Sequence, residues 1–190
     1  MRMTTPRIAP LEKAEWNGEQ QELMKRYSPK GEPINIFKTL LRHSKLLKRW
    51  TVFANHILGK SSLPEREREL IILRIGWLCR AGYEWCQHVE IGLKAGLTKT
   101  DIEHIKTGAD SSNWSANDMA LLQATDELFN DAFISDATWA ELKKTYGTEQ
   151  LMDIVFTVGN YNLVSMALNT FGVQLEETTP DTFHQDSKNS

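Results

Sequence analysis

Glu84 and His88 stand four residues apart in the run Tyr83-Glu84-Trp85-Cys86-Gln87-His88. On a helix that spacing brings both side chains onto one face. A carboxylate beside an imidazole can pass a proton at neutral pH, because the unperturbed histidine pKa of about 6.5 lies close to working pH. Tyr83 and Trp85 flank the pair and would partly enclose it as substrate-binding walls. Two readings stay open: a proton-transfer site, or an exposed i,i+4 contact worth only a few tenths of a kcal/mol. Cys86 offers different chemistry, since a thiol in the first turn of a helix has its pKa lowered by the helix dipole and can act as a nucleophile. A protein that keeps the pocket and only binds a ligand is a further alternative. As a metal site the pair supplies two ligands where zinc normally takes three or four, and no third stands nearby, so neither metal nor cofactor is expected.

These residues lie inside the stretch that organises the chain, Leu63 to Leu97. Pro64 fits the first position of a helix, and Glu65 and Glu67 suit the positive end of its dipole. From Leu70 to Leu78 nearly every residue is apolar, so this helix must be covered on most sides. Arg74 interrupts that run; its guanidinium must be paired with a carboxylate or held ready for an anionic ligand, because burial alone would be prohibitive. Ala81 and Gly82 offer a break, after which a second helix starts near Tyr83 and closes at Gly96.

Around this centre the pattern is helical throughout. Residues 1–10 read as an unstructured arm, 11–27 as a polar helix weakened by Gly18, and 28–33 as a loop. Asn35 and Ser44 are placed to cap the next two helices, the latter stopping at Gly59. Thr98 with Asp101, Ser115 with Asp118, and Ser135 open three more, with a loop at 108–113. His43, His56 and His104 read as surface residues. Thr148 would cap a last helix that is apolar on every side and so must be buried on every side; a subunit interface is the easiest cover, which predicts a homo-oligomer. The expectation is an all-α fold of roughly eight helices, with an N-terminal arm and helix (1–33), a helical domain (34–175) and a flexible tail (176–190).

Composition excludes several functions. At 190 residues, 41% apolar and 25% charged, the chain suits one globular domain. A net charge of -3 with no basic block argues against nucleic-acid binding. The N-terminus has no apolar signal region and no uncharged apolar run of spanning length is expected, so no membrane partner is foreseen and the protein is expected in the cytoplasm. Cys79 and Cys86, seven apart, would be separated by roughly 10 Å of rise on one helix. A disulfide needs Cα atoms within about 7 Å, so two reduced thiols are expected.

The stretch Leu63–Leu73 (LPERERELIIL), Tyr83-Glu84-Trp85 followed by His88, and Ala95-Gly96-Leu97 resembles the carboxymuconolactone decarboxylase family, which also contains the alkylhydroperoxidase D proteins. Asn35-Ile36-Phe37 before Trp50 and Val158-Gly159-Asn160-Tyr161 add to the likeness, which runs from about Ile34 to Val173. The resemblance implies an all-helical fold assembled as trimers or hexamers. In the peroxidase branch a glutamate, a CxxC pair and a histidine form a proton relay; aligned on Glu69 and His88, the cysteine positions here hold Ala81 and Glu84. The resemblance therefore implies the decarboxylase-like side, with Glu69, Glu84 and His88 as catalytic residues. The reaction implied is cofactor-free carbon–carbon lysis of a small unsaturated lactone or keto acid, with Arg74 as a grip for its carboxylate. A thiol-dependent peroxidase or reductase using Cys86 is the alternative.

Overall fold

Leu70, Ile71, Ile72, Leu73 and Ile75 have no exposed surface at all, and the helix that carries them is the axis of the molecule. The computed structural model describes residues 2–28, 31–111 and 114–184. Among these it shows nine α-helices: α1 (Gly18–Tyr27), α2 (Asn35–Leu40), α3 (Ser44–Gly59), α4 (Glu65–Leu78), α5 (Gly82–Lys94), α6 (Lys99–Thr107), α7 (Ala116–Asp131), α8 (Asp136–Leu142) and α9 (Thr148–Phe171). Short 3₁₀ turns sit at Lys13–Glu15 and Leu41–His43. The fold is all-α, as expected. Helices α5, α6, α7 and α9 pack around α4 and bury its apolar run on every side.

The break between α4 and α5 falls at the expected residues, with one difference. Arg80, not the glycine, takes the left-handed conformation (φ 50°). The backbone N–H of Ala81 reaches back to the Gly76 carbonyl (2.9 Å) and closes α4 in the manner of a Schellman turn. Gly82 is then free to open α5. The two helices approach closely at Gly92, where a Cβ would meet Leu97 Cδ1 at 2.9 Å and Leu73 Cδ1 at 3.1 Å. That approach sets the depth at which α5 presents its side chains to α4.

Thr98, Ser115 and Ser135 cap their helices as expected, each accepting from a backbone N–H three residues on. Three other caps differ. Ile34 precedes α2 and Asn35 is its first residue, with Asn35 Nδ2 donating to the Gln174 carbonyl (3.0 Å). His43 rather than Ser44 caps α3, its Nδ1 accepting from Leu46 N–H (3.3 Å). Gly147 rather than Thr148 precedes α9. His56 is paired with Asp153 (3.2 Å). His104 stacks edge-on to Trp114 and its Nδ1 is buried, so it is not the surface residue expected.

One larger expectation is corrected. Residues 176–184 are not a free tail: Glu176 Oε1 accepts from Asn35 N–H (2.7 Å) and the Tyr83 hydroxyl (2.8 Å), and Phe183 packs on Trp77 (5.0 Å between rings) and Trp85. One aromatic anchor and one multiply bonded carboxylate hold a segment whose composition looked disordered. Residues 185–190 lie outside the described residues, as do residues 29–30 and 112–113 of the two expected loops. Helix α9 is long and apolar enough to cross a membrane by length and composition alone, and 56% of its most apolar window is buried within the fold, as in a core helix. Its other side stays open: Met152, Phe156, Leu163 and Met166 are more than half exposed.

Candidate active site

Glu84 enters in the first turn of α5 and His88 one turn later, so their side chains stack along the helix: His88 Nε2 lies 3.0 Å from Glu84 Oε1. From the neighbouring α4, Glu69 Oε2 meets the other ring nitrogen, Nδ1, at 2.6 Å. The imidazole is therefore bracketed by two carboxylates, and all three groups are buried. Arg68 Nε donates to the second Glu69 oxygen (3.2 Å). Tyr161 of α9 covers the imidazole edge-on, with ring centres 5.1 Å apart.

Charge follows from this geometry. Burial alone would hold the His88 pKa down, but hydrogen bonds and attraction from Glu69 and Glu84 outweigh it and push the pKa up to about 9. At neutral pH His88 is an imidazolium that donates one N–H to each carboxylate. With Arg68 beside Glu69, two buried cations balance two buried anions, which is the condition under which such a cluster is tolerated. Burial, with Glu84 and Glu69 adding to it, raises the Tyr161 pKa well above the ordinary phenol value, so its hydroxyl stays neutral.

The cluster faces a cavity of about 160 Å³ between α2, α3, α5 and α9. Its walls are mainly apolar, with Phe37, Trp50, Ala54, Leu58, Ile91 and Val164 among them; Glu84 and His88 line one side, and Asn55, Gln87 and Asn160 add neutral polar groups. Glu69 lies behind His88, away from the cavity. Glu84 Oε1 is taken by His88, and the Glu84 side chain is part of the cavity wall. A bound molecule therefore meets a carboxylate that is held by a cation.

Of the residues the sequence pointed to, Glu69, Glu84 and His88 come together, and Tyr83 lies on the cavity wall with its hydroxyl given to Glu176. Trp85 does not. It sits on the far side of α5 against Trp77 (5.1 Å) and Phe183, because adjacent helical residues point about 100° apart. Arg74 is also elsewhere: Nε and Nη2 bind both oxygens of Asp126 (2.6 and 2.7 Å), and Nη1 binds the last carbonyls of α6, Ile105 (2.8 Å) and Lys106 (2.9 Å). It is a buried tie between three helices, not a substrate grip. Cys86 is buried under the C-terminal segment, 3.6 Å from the Thr182 hydroxyl, and burial pushes its thiol pKa up rather than down. Cys79 is likewise a free thiol with a raised pKa. Arg68, Tyr161, Trp50 and Asn160 were not anticipated as site residues; Arg68 next to Glu69 at the start of the apolar run of α4 was the one local signal.

Residues 44–127, from α3 to most of α7, match the carboxymuconolactone decarboxylase family. The fold is similar to the alkylhydroperoxidase AhpD core of an uncharacterized peroxidase-related protein from Ralstonia eutropha, with a TM-score of 0.79 and 16% identity over 92% of this chain and 94% of that one. The chain thus resembles the carboxymuconolactone decarboxylase family over its central part, and its fold is that of AhpD-like cores. Another peroxidase-related protein of this fold, from a Silicibacter species, is 16% identical over 96% of this chain and 95% of that one, with a TM-score of 0.73. The debrominase Bmp8, solved as a cysteine-to-alanine variant in complex with 2,3,4-tribromopyrrole, has a TM-score of 0.74 and 13% identity over 92% of this chain and 94% of that one. No curated protein matches by sequence. The resemblance sets Ala81 and Glu84 against the redox cysteines of the peroxidase branch. Ala81 is here the cap of α5, and Glu84 is bound to His88.

Proposed function

We propose that this protein is a cofactor-independent acid/base enzyme in which Glu84 exchanges a proton with a small organic molecule bound in the cavity. One observation carries the reading: Glu84 lines an apolar cavity while the His88 imidazolium, backed by Glu69, holds its carboxylate. Glu84 takes the substrate proton, leaving a substrate anion and a neutral carboxyl group. The adjacent imidazolium favours the negative charge that develops, and its fixed orientation means that little reorganisation accompanies the step. Returning the proton to a different atom gives an isomerisation.

The match of residues 44–127 to the carboxymuconolactone decarboxylase family also brings decarboxylation within reach, since a protonated Glu84 could deliver its proton to the carbon from which carbon dioxide departs. That reaction on a lactone or keto acid needs a group to hold the substrate carboxylate, and Arg74 is committed to Asp126. The geometry thus supports proton abstraction and return better than carbon–carbon lysis. The exposed apolar residues of α3 and α9, Val52, Phe156, Leu163 and Met166, support assembly into a homotrimer or homohexamer. Two unpaired cysteines fit a cytoplasmic setting.

The test is a turnover assay of wild type, Glu84→Gln and His88→Ala against unsaturated lactones, keto acids and uncharged ring compounds, following absorbance and released carbon dioxide. Loss of turnover in both variants, with fold and assembly intact, is expected. Turnover that survives both would remove the pair from the chemistry.

A further inference from the structure

The cavity that Glu84 faces also limits what it can hold. Among the described residues that line it, none is lysine or arginine. The cation nearest to it, His88, has both N–H groups committed, one to Glu69 and one to Glu84, so it has no donor left for an incoming anion. The negatively charged side chain that does line the space is the Glu84 carboxylate. A carboxylate ligand entering here would lose its hydration, meet no free cation and lie against a like charge. An uncharged ligand with an O–H or N–H group meets the reverse: apolar walls for its body and an acceptor, the Glu84 carboxylate, for its proton.

Size narrows the class further. An apolar cavity of about 150 Å³ is enough to take benzene, and this one measures about 160 Å³. Trp50, Phe37 and Tyr161 contribute aromatic walls, against which a planar ring packs well.

We infer that the site takes uncharged single-ring compounds bearing one O–H or N–H group directed at Glu84, and discriminates against the corresponding carboxylates. This rests on the proposed role of Glu84 but concerns recognition, so binding rather than turnover tests it.

Phenol and benzoate are the probes, titrated into the full-length protein at pH 7.5 by calorimetry, with ring-proton saturation transfer to locate them. Phenol should bind saturably, at least tenfold tighter than benzoate. Glu84→Gln, which removes the facing charge and keeps the shape, should shrink that ratio. Leu58→Lys, at a wall position 40% exposed, should raise benzoate affinity without strengthening phenol. Circular dichroism and assembly size confirm that each variant is folded. Benzoate binding as tightly as phenol, or neither probe binding to a folded wild type, would overturn the inference. So would a phenol-to-benzoate ratio that Glu84→Gln leaves unchanged. If turnover depends on Glu84 and the substrates prove to be carboxylates, the acid/base reading stands and this inference alone falls. If phenol is preferred as described but no turnover depends on Glu84, recognition stands and the enzymatic reading falls.

Discussion

Because the folded protein holds His88 as a buried imidazolium between Glu69 and Glu84, its stability should depend on pH in a predictable window. The folded pKa of about 9 exceeds the unfolded value of 6.5. A group raised in this way contributes stability that is fully present below the unfolded pKa and is lost as pH rises through the folded one. A gap of roughly 2.5 units at about 1.4 kcal/mol each gives a contribution of about 3 kcal/mol, falling by up to about 1.4 kcal/mol per pH unit across the window. That is a large share of the roughly 5–15 kcal/mol that holds a domain together. Urea unfolding of wild type and His88→Gln at about pH 6, 7.5 and 9.5 reads the effect, and taking the difference between them cancels other titrating groups. The stability advantage of wild type should shrink by about 3 kcal/mol from the lowest pH to the highest. A difference that stays constant with pH would refute the reasoning, since the imidazole would then not be held charged by its neighbours.

Removing one half of a buried ion pair leaves the other uncompensated, so Arg74→Met should lower unfolding stability by about 3 kcal/mol, read by chemical denaturation, while ligand binding in the folded fraction is unchanged. Gly108 has φ +89°, and a Cβ there would come within 2.4 Å of Arg74 Nη2; Gly108→Ala should therefore destabilise by about 2 kcal/mol, with a matching fall in melting temperature. Truncation after Leu175 removes Thr182 and Phe183 from Cys86 and the tryptophans, so maleimide should label Cys86 faster than in the full chain and tryptophan emission should shift to the red.

Local signals were the ones the sequence displayed best. The Thr98–Asp101 box and the Ser115 and Ser135 caps depend on residues three apart, and the helix face shared by Glu84 and His88 on residues four apart. The apolar run from Leu70 announced a helix covered on every side. What escaped was set by contacts between distant elements. Asp126 lies 52 residues from Arg74, so whether that arginine was a structural tie or a ligand grip could not be read from its own helix. Trp85 is instructive because periodicity could have placed it: Glu84, Gln87, His88 and Ile91 line the cavity, while Trp85 falls about 100° off that face. The cavity walls from α2 and α3, the Tyr161 cover and the docking of Phe183 have no local counterpart in the chain. Glu69 was reachable only through family likeness, since nothing in its immediate surroundings says that it meets a histidine 19 residues on.

The central claim is that Glu84, held by His88, moves a proton to and from a molecule in the cavity. Solvent-deuterium incorporation tests it most directly, because it reports proton exchange whatever the net reaction is. Uncharged ring compounds with an acidic C–H bond would be incubated in D₂O with wild type and with Glu84→Gln, and the label followed by NMR. The account predicts catalysed exchange in wild type that falls by roughly 10²-fold or more in the variant. Equal exchange rates in the two proteins would contradict it.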